Sequence, residues 1–269
     1  MFNITKNKFY DIFSKEAICR NDIKLPNVKC YEKHDISKNA KQFQIFRFIQ
    51  FSDDKSVIVW AIPEIFDIII NHIKLFQNDL FSDKSSDYLY SNFSEIAKRE
   101  QWNITPERMK NYATVIYGMD DKNNLNILKK QDTTVKFHSD TPYKVLNIGD
   151  FDVKKYDTRV FYYGTLIDNN IVSVARYGLH ICENPDLLNE SVDVDIDTNE
   201  NYRQKGYAVS NVIALTEHLL SGEKEVEIVK EVTYQTSNYN IESQKTALSA
   251  GLKEIAKEKS FSHYDYTRN

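Results

Sequence analysis

The chain has 269 residues, 28% of them charged, with 35 Lys and Arg against 39 Asp and Glu and a formal net charge of −4. That length supports one large domain or two ordinary ones with a sizeable core, and dispersed charge without a basic stripe argues against nucleic acid as the main partner. Cys19, Cys30 and Cys182 are odd in number and far apart, which fits a reducing compartment rather than a disulfide framework.

The first residues, MFNITKNKFYDIF, contain no apolar core of signal-peptide length. The most apolar run, 56–70, is broken by Pro63, Glu64 and Asp67, so it cannot span a bilayer. No C-x-x-C or H-x-x-x-H spacing occurs, so no metal is expected. These features predict a soluble, cytoplasmic protein with no membrane partner.

In chain order, residues 1–25 predict a helix, with Phe9, Ile12, Phe13 and Ala17 on one face and Pro26 as its stop. Residues 43–51 and 56–62 read as two strands joined by a turn, and Pro63 suits the first position of a helix whose apolar face runs from Ile65 to Phe76. A short helix is expected over 94–102, capped by Ser94, then a helix start at 105–107 or a strand over 112–119. The polar stretch 120–131 has no period and reads as a linker. Trp60 and Trp102 read as packing residues.

The second half predicts a strand over 134–137, an ambiguous stretch over 143–156, and strands over 160–167 and 171–179. Asp168-Asn169-Asn170 between the last two is a hairpin turn. A further strand spans 190–197, where Val192, Val194 and Ile196 alternate with Asp193, Asp195 and Asp197. The loop Arg203-Gln204-Lys205-Gly206-Tyr207-Ala208 follows, and then a helix with Val209, Val212, Ile213, Thr216 and Leu219 on one face. Another strand lies within 225–237, a helix over 240–250 stops at Gly251, and a last strand is placed at 261–266. Hairpins followed by strand–helix–strand–helix imply a mixed sheet with helices on its faces. The expected division is an N-terminal α/β domain over 1–130 and a second domain over 131–269.

A strand, a short basic loop with a glycine and a helix start together make a site for a phosphate or pyrophosphate, because free backbone N–H groups and the positive end of the helix dipole converge there. No Walker-type G-x-x-x-x-G-K-[ST] is present. A second pattern follows the loop: Asn240-Ile241-Glu242-Ser243, Ala247 and Gly251-Leu252. The two, in this order, resemble the GNAT superfamily of acyl-CoA-dependent N-acyltransferases, and within it the two-domain acetyltransferases related to zwittermicin-resistance proteins. The resemblance covers about the second half. It implies an α/β fold with a mixed central sheet of the GNAT type. The smaller N-terminal α/β domain would then shape the acceptor site or be a degenerate copy of the same fold.

The resemblance further implies that acetyl-CoA is the co-substrate and that acetyl passes to a primary amine by direct attack in a ternary complex. Backbone N–H groups of Gln204, Lys205, Gly206, Tyr207 and Ala208 would hold the pyrophosphate, flanked by Arg203 and Lys205. Ile196 and Thr198 would pair with the pantetheine amides where neighbouring strands splay apart. Asn240 would contact the pantetheine or the reacting centre, and Ser243 the coenzyme. Many members carry a tyrosine as the acid where this chain has Ala247, so Tyr239 and Tyr234 are the candidates to replace it. For the base, Glu190 lies where related enzymes carry a catalytic glutamate, and Asp193 is the alternative on the acidic strand. His138, His180 and Cys182 read as ordinary packing or loop residues. The expected partner is a small-molecule amine, and a homodimer is an allowed assembly. The competing interpretation is a non-catalytic coenzyme A or acyl-CoA-binding regulatory module.

Overall fold

The computed structural model describes residues 3–33, 42–102, 109, 113–146, 148, 159–178 and 188–264. Expectations at 105–107, His180 and Cys182 fall outside them. The described elements, in chain order, are α1 (Asn3–Glu16), β1 (Ile18–Cys19), β2 (Val28–Glu32), β3 (Gln42–Phe51), β4 (Val57–Ala61), α2 (Phe66–Phe76), α3 (Asp83–Arg99), β5 (Ala113–Met119), β6 (Thr134–His138), β7 (Lys144–Val145), β8 (Phe161–Ile167), β9 (Asn170–Tyr177), β10 (Ser191–Thr198), α4 (Tyr207–Leu219), β11 (Glu231–Ser237), α5 (Ile241–Ala250) and β12 (Lys253–Tyr264). The α/β class with a mixed sheet is borne out. Among the described residues no helix is long and apolar enough to cross a membrane.

The chain forms two compact units. One comprises Lys6–Val115, Ser237–Tyr239 and Ile255–Asn269. Its strands run in the order β1-β2-β4-β3-β12, with β2 parallel to β4 and β3 antiparallel to both β4 and β12. The predicted β3–β4 hairpin is present, and Pro63 opens a 3-10 turn that leads into α2. Phe46, Phe93 and Phe261 pack edge-on and stacked in the core, and Trp60 and Trp102 are buried as expected.

Three boundaries differ from expectation. Helix α1 stops at Glu16, because Ile18 and Cys19 pair with Glu32 and Tyr31 as a short ladder. Helix α3 begins at Asp83 with Ser82 as its cap, accepting from the Ser85 N–H, so Ser94 is interior. The last strand starts at Lys253 rather than 261.

The other unit comprises Met1–Thr5, Ile116–Thr236 and Asn240–Glu254. Its strands run β5-β11-β10-β9-β8-β6, with β7 beside β9. Asp168 and Asn169 both take positive φ, 46° and 61°, the turn geometry that a two-residue hairpin demands, and β8 and β9 pair antiparallel around it. Helix α4 buries Val212, Ile213, Leu215 and Leu219 against a sheet face that includes Phe161, Tyr177, Val192 and Val194. Each such side chain, fully buried, contributes about 1.5–3 kcal/mol. The polar stretch 120–131 is packed rather than loose: the Asn126 N–H donates to the Ala250 carbonyl, and the Gln131 N–H to Ser210 Oγ.

Candidate functional site

The two strands that frame the site part company early. Parallel strands β10 and β11 pair at Ser191–Glu231, Val192–Val232 and Asp193–Thr233, and their ladder ends there. Strand β10 goes on to Thr198 and β11 to Ser237, so a gap opens between them. On its other edge β10 stays paired with β9 through Thr198–Ser173, with no shift in register.

Backbone direction follows from the flanking hydrogen bonds. The Asn199 N–H donates to the Val172 carbonyl and the Gly178 N–H to that of Asp193, so odd-numbered residues face β9. The Glu190 carbonyl accepts from Lys230 and Glu231 on the other side. Alternation therefore turns the backbone groups of Val194 and Ile196 into the gap. Thr198 faces the same way, but its N–H is taken by Asp197 Oδ1 at 2.8 Å and its carbonyl by Arg203 Nε at 3.2 Å.

The loop after β10 makes a 3-10 turn over Glu200–Tyr202 and reaches α4 through Gln204 and Gly206, with φ of 62° and 80°. Gly206 is the N-cap position of α4 and brings no capping side chain. The helix start therefore presents uncapped backbone donors at the positive end of the dipole. A Cβ on Gly206 would lie 2.9 Å from Gln131 Nε2, the group that donates to the Lys205 carbonyl, so a side chain here would disturb the loop as well as its left-handed backbone.

A cavity of about 560 Å³ joins this helix start to the gap. It brings together Ile196, Thr198, Arg203, Gln204, Gly206, Tyr207, Ala208, Asn240 and Ser243, all of them expected from the sequence. Lys205 lies outside its lining, with its ammonium 4.9 Å over the Tyr202 ring. Asn240 Oδ1 caps α5 by accepting from the Ser243 N–H at 3.1 Å. Lys245 and Thr246 also line the cavity. The i+3 spacing of Thr246 from Ser243 could have flagged that residue.

The chain is similar in structure to GNAT-family acetyltransferases. Solved structures that match include a putative GNAT acetyltransferase from Novosphingobium aromaticivorans, at 13% identity and TM-score 0.38 over 57% of this chain and 65% of that one. A GCN5-related N-acetyltransferase-like protein from Streptococcus suis matches at 14% identity and TM-score 0.39, over 57% of this chain and 63% of that one. A tandem GNAT protein from the clavulanic acid biosynthesis pathway matches at 12% identity and TM-score 0.39, over 64% of this chain and 58% of that one. The chain thus spans less than two thirds of the length of each. No family model matches the sequence, and no curated protein does.

The acids of β10 differ sharply in their surroundings. Glu190 is exposed and precedes the strand. Asp193 is held on both oxygens, by the Thr233 hydroxyl and by Gln235 Nε2 at 2.9 Å. Asp195 has Arg176 Nε at 3.6 Å and a side chain 54% exposed. The protein around Asp195 nonetheless raises its carboxyl above the ordinary value by desolvation; Asp193 adds to the rise and Arg176 opposes it. Tyr239 is 63% exposed. Tyr234 lines the cavity and places its hydroxyl 2.7 Å from Ser243 Oγ. Ala247, one turn beyond Ser243 on α5, is fully buried.

Away from the cavity, His218, Glu223 and Glu225 approach one another at metal-ligand spacing. The Lys136 ammonium lies between, 2.6 Å from Glu225 Oε1 and 3.2 Å from His218 Nε2. A cation is thus already supplied by the chain. His138 Nδ1 meets the Val160 carbonyl at 3.1 Å, a structural contact.

Proposed function

We propose that this chain is a GNAT-type N-acyltransferase that passes acetyl from acetyl-CoA to a primary amine by direct attack in a ternary complex. The supporting observation is the cavity that joins an uncapped helix start to the gap between β10 and β11. The helix start and the Gln204–Ala208 backbone suit a pyrophosphate, with Arg203 adding charge. The gap-facing backbone of Val194 and Ile196 suits the amides of an extended arm, which would add to the free edge as a strand does.

Attack by an amine requires removal of an ammonium proton. Of Glu190, Asp193 and Asp195, Asp195 suits this work best; Asp197 lines the cavity, but its Oδ1 accepts from the Thr198 N–H. Asp195 lies just past the last β10–β11 rung, its carboxylate is only loosely paired, and its raised pKa brings it nearer the working range. Glu190 precedes the strand, and Asp193 already has a hydrogen bond at each oxygen.

Acetyl-CoA is expected to raise the melting temperature, since a ligand that binds only the folded state stabilises it by mass action, and Gly206→Glu should remove the shift. Unchanged melting at millimolar acetyl-CoA would overturn the proposal. Free-thiol release over polyamines, aminoglycosides, amino acids and peptides then separates enzyme from module: coenzyme binding with no turnover across that panel would favour the module.

A further inference from the structure

Gln131 brackets the start of α4 from the side away from the cavity. Its backbone N–H donates to Ser210 Oγ at 2.7 Å, in the first turn of α4, and its side-chain Nε2 donates to the Lys205 carbonyl at 3.0 Å. Ser210 is fully buried, and its hydroxyl also meets Thr134 Oγ1 at 2.6 Å, so α4 and β6 together fix the anchor. Neither Gln131 nor Lys205 lines the cavity, whereas Gln204, Gly206 and Tyr207 do.

A carbonyl oxygen only accepts, so the nitrogen end of the Gln131 amide must be the one that meets it. The Lys205 carbonyl and the Gly206 N–H belong to one planar trans peptide, whose two polar groups point in opposite directions. With the carbonyl held toward Gln131, the N–H points the other way, into the cavity. Among the described residues no group takes that N–H. Gly206 has φ of 80°, but a glycine takes either sign of φ about equally well. Its backbone alone therefore does not choose between this peptide plane and the flipped one, which would turn the carbonyl to the cavity.

We infer that Gln131 is a positioning residue for the diphosphate site, holding the Lys205–Gly206 peptide with its N–H toward the ligand. The inference rests on the acyltransferase proposal, whose coenzyme supplies the diphosphate. An N–H in this place donates to a phosphate oxygen, and a flipped carbonyl would repel it. Because Gln131 sets the plane before the ligand arrives, binding does not have to reorient it. Gln131 lies 74 residues ahead of Lys205, at the end of a segment that its polar composition makes look like a linker, so the motif around the loop does not include it.

The test labels the full chain with carbonyl carbon-13 in lysine and nitrogen-15 in glycine. Lys205-Gly206 is the one Lys-Gly step in the sequence, so a carbon-filtered amide spectrum shows this peptide alone. Coenzyme A added to wild type should move that amide proton downfield as it gains a charge-assisted bond. Gln131→Met keeps the length of the side chain without the donor. It should weaken coenzyme A binding about fivefold by calorimetry, the worth of one hydrogen bond, and reduce the downfield move. Melting without ligand should stay close to wild type, since this side chain is half-exposed. Gln131→Glu sets an acceptor against the carbonyl and should weaken binding further, also at high salt, where its charge is screened. Equal affinity in wild type and Gln131→Met, or weaker binding with the amide shift intact, would overturn the inference and leave the acyltransferase proposal standing. Failure of wild type to bind coenzyme A would overturn both. If Gln131→Met does not fold, Gln131→Glu is read by the same two measurements, and unchanged values there overturn the inference.

Discussion

Arg203 Nε donates to the Thr198 carbonyl across 3.2 Å, which ties the basic loop to the end of β10. The same side chain lines the cavity, so it both shapes the loop and adds charge to it. Arg203→Ala is expected to weaken coenzyme A binding about tenfold, or about 1.4 kcal/mol, as for one charge-assisted contact. Arg203→Lys should recover the charge without the Nε contact and fall between the two. Calorimetric titration at low and high salt checks this, because only the charge contribution is screened.

Asp195 gives a pH prediction with a definite sign. As a base it acts ionised, so the acid limb of kcat/KM should rise with pH through a value above the ordinary 3.8 of an aspartate, in line with its raised pKa. Arg176 lowers that pKa, so Arg176→Met should move the limb to higher pH. Asp195→Asn should remove the limb and cut kcat by about 10²–10⁴-fold, the usual worth of a general base. A pH–rate profile unchanged in Arg176→Met would assign the limb to another group.

What the sequence showed of this site follows from what is local. The hairpin turn at Asp168-Asn169, the left-handed Gly206 and the stop at Gly251 are each set by a few adjacent residues. The choice among the β10 acids is not local. Asp193 is satisfied by Thr233 and Gln235 and Asp195 is approached by Arg176, partners brought in by β11 and β9. Period-two alternation shows only that these acids share a face. The early start of α3 was legible in principle: Leu89, Phe93 and Ala97 are buried at i, i+4 and i+8. The Ser-rich first turns hid it, since serine reads as loop or cap. The β1–β2 ladder was not legible, because so short a strand forms only through its partner.

Two left-handed glycines separate strain from clash. Gly251 has φ of 102°, and a Cβ there would lie 2.5 Å from the Asn124 carbonyl oxygen; Gly222 has φ of 79° with open space around it. Gly222→Ala should cost about 1–2 kcal/mol, the penalty for a left-handed residue with a Cβ. Gly251→Ala meets fixed backbone in addition and should lower the melting temperature further. Paired thermal melts check the order, and equal losses would mean that the 124–126 segment yields freely.

Lys259 is 1% exposed, and its ammonium donates to Ser86 Oγ. Burial lowers its pKa from 10.5 to about 8, against a smaller opposing pull from Asp83. The folded value is thus depressed below the unfolded one. The stability this group contributes is present above pH 10.5 and is lost as pH falls toward 8. At neutral pH the fold therefore carries a buried charge with little compensation. The cost is a few kcal/mol at most, at about 1.4 kcal/mol for each pH unit that separates the folded from the unfolded value. Lys259→Met keeps the chain length and removes the charge. It is expected to stabilise the protein at pH 7 and to flatten the rise in stability between pH 8 and 10.5. Denaturant melts of wild type and variant across that window give the comparison, and their difference cancels the other groups that titrate there. A difference that does not shrink as pH rises would show that Lys259 is already neutral, or better paired, in the folded chain.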